Sequence, residues 1–343
     1  MKKFILKTLP FTLPFFVLYI VTFSFYSDAE NPDLLRVGYI PNIDKGYMKA
    51  LDSNRKVKFE LLSETQNKKF KILTIGDSFS NRGSIGYNNM LADHFSVLNA
   101  DTFRAENQFQ TIVKLINGDF FSTYKIDYVI LQNIERNIIY NAENTDIEQK
   151  IYVSEIDSLI KNHHSKHESY RYELFSKTTL NFPFTFPKFF FKKNYLSNNE
   201  VFNLELNNNN LFSNNSSKLL FYNRDLYALE RNNTMAKVES LNNKLNFLAK
   251  QLEQRNVKLI VLPAPDKYDM YYSYIADKTN FEKPIFFENL NKLSKNYIYI
   301  DSKELLLKNM ESKKDIYYFA DTHWSPVAAK LIADEIKKRI NTQ

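Results

Sequence analysis

The sequence predicts an α/β protein with a parallel central sheet covered by helices on both faces. Two observations carry this prediction. Short, continuously apolar runs stand at 70–75 (FKILTI), 127–131 (DYVIL) and 257–262 (VKLIVL), the signature of strands buried on both faces. Segments with helical spacing of apolar residues lie between them, and such alternation builds parallel sheets.

Taken in order, Leu9 to Tyr26 is an uncharged apolar run of 18 residues behind Lys2, Lys3 and Lys7. That length spans a bilayer, and leading lysines place that flank in the cytoplasm. Residues 1–27 therefore read as a membrane anchor. Ser27 and Ala29 leave open a cleaved signal segment. In either case the body lies outside the cytoplasmic membrane, periplasmic or on the cell surface. Residues 28–69 are polar, with scattered Pro and Gly, and read as a stalk. The body, 70–343, opens on the first strand. Helices are expected over 88–95, 106–116 and 147–160, the last from Ile147, Ile151, Ile156, Leu159 and Ile160, with a weak strand at 96–100. At about 165–222 an aromatic run with prolines and then Asn-rich stretches break the pattern, which reads as an insertion. A helix over 226–255, a strand at 297–300 and a final helix over 325–340 complete the body. For that helix Ser325 is the expected N-cap, with Pro326 at the first helical position.

Composition excludes several functions. The chain has 343 residues but only six glycines, where roughly 24 would be ordinary. Neither glycine-rich phosphate cradle is present. The absence of cysteine removes disulfides, zinc thiolates and a cysteine nucleophile. Of the net charge of +7, three charges sit at the N-terminus, and the rest is interspersed with acids, so nucleic-acid binding is not expected.

Three of the six glycines, Gly76, Gly83 and Gly86, flank one serine. Gly76-Asp77-Ser78 follows a buried strand, and ligand sites in parallel sheets form at the carboxyl edge. A serine there can attack a carbonyl when a histidine takes its proton and a carboxylate holds the histidine. Asp321-Thr322-His323 supplies both, just before the last helix. The segments 132–136 and 264–268 end at the same sheet edge. His163, His164 and His167 share near-helical spacing, but no acidic ligand pattern accompanies them, and no metal or other cofactor is expected.

GDSFS at 76–80 and DTHWSP at 321–326 resemble the SGNH hydrolase superfamily, and within it the alginate O-acetyltransferase-like proteins of polysaccharide acetylation. ILQNIERN at 130–137 and VLPAPDKYDMY at 261–271 resemble further stretches of that group, so the likeness covers roughly 70–137 and 219–340. The resemblance implies a three-layer α/β/α SGNH-like fold, here with an N-terminal transmembrane helix. It implies Ser78 as nucleophile, His323 as general base and acid, and Asp321 as its orienting partner. Asn133 is the expected oxyanion donor beside the Ser78 amide. Arg136, Lys267, Tyr268 and Trp324 are expected to line the substrate cleft. The serine block precedes the Asp-x-His-Trp block, the reverse of many alginate-type members, as in a circular permutation. The glycine of the usual second block and the Gly-x-Asn-Asp of the third have no counterpart. The implied activity is acetyl transfer through a serine ester to hydroxyls of an exported polysaccharide, with a membrane-bound acyltransferase supplying the acetyl group. An esterase with the same residues, or a non-catalytic subunit of an export complex, remain the alternatives.

Overall fold

The computed structural model describes residues 1–23, 32–38, 55–103, 106–156, 158 and 200–342. The N-terminal run forms helix α1 (Lys2–Phe23), which continues through Pro10 and Pro14. It is long and apolar enough to cross a membrane, and its apolar side chains are exposed. A short helix α2 (Asp33–Gly38) follows.

Six strands then form one sheet. They are β1 (Glu60–Leu61), β2 (Lys69–Ile75), β3 (Val97–Asn99), β4 (Lys125–Ile134) and, after a separate hairpin of β5 (Val201–Glu205) and β6 (Lys218–Tyr222), β7 (Lys258–Ala264) and β8 (Ile298–Tyr299). The order is β1-β3-β2-β4-β7-β8, and every pairing is parallel.

The layers follow from strand geometry. Successive side chains point to opposite faces, so Ile72, Ile130, Ile260 and Leu262 enter one core, while Leu73, Val129, Leu131, Leu259 and Val261 enter the other. On the first face lie the helix Tyr87–Leu91, the hairpin, and the helices Ser302–Met310 and Pro326–Asn341. The second face is covered by the helices Gln108–Asn117, Glu135–Glu143, Met235–Glu253 and Phe286–Asn291. This is the expected three-layer arrangement.

The chain runs from β2 to β3 on one side and then returns to β4 on the other. The carboxyl ends of β2 and β4 thus flank a topological switch point, where α/β sheets open a crevice. Hydrogen bonds tie three edge segments together there. Asp77 Oδ2 accepts the Ile134 amide at 2.7 Å, and the Asp266 amide donates to Glu135 Oε2 at 2.9 Å.

Several expectations differ from the structure. The apolar spacing at 147–160 does not make one helix. The helix after β4 is Glu135–Glu143, Ile147 is exposed, and a new helix begins only at Val153. Ile151 is buried because its amide bonds the Lys114 carbonyl while its own carbonyl packs against Gly118, a tertiary docking that mimics helical periodicity. The expected helix at 226–255 is broken into Asn223–Tyr227, Leu229–Asn232 and Met235–Glu253. At the second break, the side chain of Asn232, the last residue of its helix, donates to the Glu135 carbonyl. Of the expected insertion, 165–199 lies outside the described residues, but 201–222 is the ordered hairpin packed on the first core. The stalk boundary at 70 falls inside the fold, because β1 extends the sheet and α2 buries Leu34 and Leu35 against Val201, Leu220 and Ala320.

Gly76 is the glycine that position demands. A Cβ there would overlap Ser80 Oγ and Gln132 Oε1, which are themselves bonded at 2.9 Å. Gly76→Ala should therefore destabilise by about 1–3 kcal/mol, as overpacking does. The expected result is a lower urea midpoint with an unchanged slope.

Candidate active site

β2 delivers Ser78 on a pinned turn. The Asp77 amide donates to Gln132 Oε1 at 3.1 Å, and Asp77 Oδ1 accepts the Phe79 amide at 2.9 Å. Asn81 Nδ2 donates to the Asp77 carbonyl at 2.8 Å, and Ser80 Oγ bonds Tyr87 Oη at 2.7 Å. Phe79 and Ser80 are buried while Ser78, just before them, is exposed. The Ser78 amide donates no hydrogen bond among the described residues.

The second half of the site is the turn before the last helix. Tyr317 and Trp324 close it as an antiparallel bridge. Ser325 caps the helix, its Oγ accepting the Val327 amide at 3.1 Å. Within the turn, Asp321 Oδ1 accepts His323 N–H at 2.9 Å and contacts ring Nδ1 at 2.5 Å. His323 Nε2 lies 2.7 Å from Ser78 Oγ. With Nδ1–H donating to Asp321, Nε2 is the nitrogen left to accept from the serine hydroxyl. Phe79 flanks the imidazole, the ring centroids 4.7 Å apart. Burial raises the Asp321 pKa, but the His323 ring, its hydrogen bonds and the Arg82 charge outweigh it and hold this carboxyl well below the usual range.

Ser78, His323 and Asp321 are therefore brought together, from positions 245 residues apart for the serine and histidine. The other expected site residues are placed differently, and each difference is a correction. Asn133 follows Gln132 on β4 and so points to the opposite face, where Asn141 Nδ2 donates to its Oδ1 at 2.9 Å. Gln132, which the sequence reading passed over, is the residue that reaches the Ser78 turn. Arg136 is buried in ion pairs with Asp266 at 2.7 Å and Asp225 at 3.1 Å. Tyr268 is buried, its hydroxyl donating to the Glu282 carbonyl at 2.7 Å. Trp324 is buried edge-on against Phe79 at 4.9 Å, leaving no open ring face. Lys267 is buried too, yet it serves the site: Nζ donates to the carbonyls of Phe319 at 2.6 Å, Tyr318 at 2.7 Å and Asp321 at 3.1 Å. It clamps the turn that carries the histidine.

Two further residues were missed by the sequence reading. Arg82, just past the serine turn, lies over the Tyr318 ring at 5.5 Å and adds positive charge near Asp321. Asp33, from the supposed stalk, accepts the Thr322 amide at 2.7 Å. Among the described residues, Asp33, Asp321 and His323 form a group that could hold a metal ion, with ligand atoms within 4.8 Å of one another. In the present geometry His323 Nδ1 is committed to Asp321, and a cation would have to displace that bond. His163, His164 and His167 lie outside the described residues.

Residues 218–343 match the family model described as SGNH hydrolase-like domain, acetyltransferase AlgX. The chain carries an SGNH-like domain. The matched span, about a third of the chain, includes Lys267, Asp321, His323 and Trp324, while Ser78 stands before it. No curated protein and no solved structure matches the chain.

Beneath the site, the carboxylates Glu135, Asp225, Asp266 and Asp269 are buried beside Lys303 and the largely buried Arg136, with Lys303 bonded to Asp269 at 2.7 Å. Burial, then the neighbouring acids, pushes Glu135 and Asp266 well above the usual carboxylate range. Arg136→Met would leave Asp225 and Asp266 without their cation. Removing one partner of a buried pair costs about 3–5 kcal/mol, and thermal unfolding should report a loss of that order.

Burial also brings the Lys267 amine down to about 7, against the pull of Asp33, Asp321 and Asp225. The unfolded chain keeps that proton up to its ordinary value of 10.5. Between those values the unfolded state binds more protons, so this group's contribution to stability rises with pH. Urea unfolding of wild type and Lys267→Met should show the difference moving in wild type's favour from pH 7 to about pH 10. A constant difference would count against a low Lys267 pKa.

Proposed function

We propose that this chain is a membrane-anchored O-acetyltransferase that passes acetyl, through an ester on Ser78, to hydroxyls of an exported polysaccharide. The observation that carries this reading is the continuous hydrogen-bonded chain from an exposed Ser78 through His323 to Asp321, set at the switch point of an SGNH-like sheet. The match to the SGNH hydrolase-like domain of an acetyltransferase supports the acetyl-transfer class.

The steps follow from the atoms. Ser78 Oγ attacks the acetyl carbonyl carbon as its proton moves to His323 Nε2. Asp321 stabilises the imidazolium without taking the proton itself. The free Ser78 amide is the donor placed for the oxyanion, and the pinned Gly76–Ser80 turn holds it without reorganisation. The tetrahedral intermediate collapses, and the leaving oxygen takes the proton from Nε2. A sugar hydroxyl then attacks the Ser78 ester, giving its proton to Nε2, and the proton returns to Ser78 Oγ as it leaves. Serine ester chemistry of this kind needs no cofactor.

Helix α1, with lysines at its leading end, supports anchoring with the body on the outer side of the membrane. A membrane-bound acyltransferase is the donor partner this arrangement calls for. An esterase uses the same residues with water as acceptor. A purely structural subunit would have no use for the aligned Ser78 and His323.

The test is Ser78→Ala, together with acetyl-ester turnover in the presence and absence of an oligosaccharide. The variant should lose at least 10³-fold in rate, on the order of what loss of such a group costs. Wild type should yield acetylated oligosaccharide. Free acetate alone would favour the esterase, and unchanged turnover in Ser78→Ala would remove the serine mechanism.

A further inference from the structure

Asp33 opens helix α2, ten residues beyond the end of α1 (from Phe23 to Asp33), in sequence that reads as a stalk. Yet it sits on the histidine turn. Its Oδ1 accepts the Thr322 amide at 2.7 Å, and its Oδ2 accepts the Thr322 hydroxyl. The Asp33 amide donates to Asp321 Oδ2 at 3.3 Å, and Asp33 Oδ2 lies 3.6 Å from His323 Nδ1. Leu34 and Leu35 are buried against Val201, Leu220 and Ala320, so an apolar patch fixes the contact.

The consequence is local and specific. Asp321 uses Oδ1 for the ring, and its other oxygen is held by the Asp33 amide. The peptide joining Asp321 to His323 runs through Thr322, whose amide and hydroxyl both end on Asp33. Asp33 thus binds the backbone that sets how the carboxylate and imidazole face each other. Both its oxygens act as acceptors, while burial and then the Asp321 charge raise its pKa above the ordinary carboxylate value. The titratable groups around it are Asp321 and His323 in the turn, Lys267 after β7 and Asp225 after β6.

We infer that Asp33 is a positioning residue: a second carboxylate, supplied by the segment next to the apolar helix, that holds the Asp321-Thr322-His323 turn so that His323 stays in line between Asp321 and Ser78. The inference rests on the reading of Ser78 as nucleophile. It makes the N-terminal segment part of the site. Ten residues reach at most about 35 Å, so Asp33 and the turn it binds lie within about that distance of the end of α1.

The experiment compares wild type, Asp33→Asn and Asp33→Ala in the full-length chain in detergent, with two readouts. The first is kcat and KM for Ser78-dependent acetyl-ester turnover. The second is the far-downfield proton resonance of the His323 Nδ1–H shared with Asp321, which needs no turnover. Asp33→Ala should lower kcat about 10–100-fold, as loss of such supporting partners does, with KM within about twofold. Its resonance should shift or broaden into solvent exchange. Asp33→Asn keeps an acceptor for Thr322 and should fall between, with a moved resonance, and it carries the test if Asp33→Ala fails to fold. A kcat within twofold of wild type overturns the inference even if the resonance moves. If Ser78→Ala turns over like wild type, the serine reading fails and the resonance alone decides: moved in the variants, the positioning role stands, and unmoved, it falls.

Discussion

His323 can present Nε2 to Ser78 only because Asp321 occupies Nδ1. That contact, 2.5 Å on one side of the ring and 2.7 Å on the other, fixes both the tautomer and the direction of the imidazole. Much of the surrounding fold serves to hold it. Lys267 gathers three carbonyls of the histidine turn, Phe79 and Trp324 pack its apolar side, and Asp33 binds the peptide inside it. On the serine side, Gln132, Asn81 and the Ile134 amide fix the Gly76–Ser80 turn. Neither half is rigid by itself. Each is a short irregular stretch whose polar groups find partners on other elements, which is how a buried turn escapes the cost of unsatisfied backbone.

Below this layer the protein tolerates an arrangement that is expensive by itself. Four carboxylates and two cations are packed out of solvent where β4 and β7 end. Such networks rarely add net stability over apolar packing, but they fix geometry, because each charge accepts few alternative partners. Here the network joins the ends of β4 and β7 to the helices that follow β6 and β8. The residues read from the sequence as cleft-lining, Arg136 and Tyr268, belong to this foundation.

The legible part of the sequence was the part with short-range signals. Apolar runs located β2, β4 and β7, because a strand buried on both faces leaves no room for polar residues. Gly76, Ser78, Asp321 and His323 were found because each lies beside a strand end or helix cap with its own local signature. The illegible part depended on partners distant in sequence. Ile151 looked helical and is instead pinned by Lys114 and Gly118. Asp33 lies in polar sequence with nothing to distinguish it, and only its contact with Thr322, 289 residues away, gives it meaning. Asn133 and Gln132 are adjacent polar residues at one strand end, and which of them faces the serine depends on register alone.

The sequence by itself thus determined the α/β class, the apolar N-terminal helix and the types and positions of the three hydrogen-bonded site residues, since these follow from periodicity, capping and side-chain chemistry. Only the tertiary structure decided which polar side chains reach the serine turn, which are buried as ion pairs or packing, and that the segment after the apolar helix belongs to the fold. The physical reason is that a side chain's role is set by the face on which its backbone presents it and by the burial it meets there. Both arise from how elements far apart in the chain pack together.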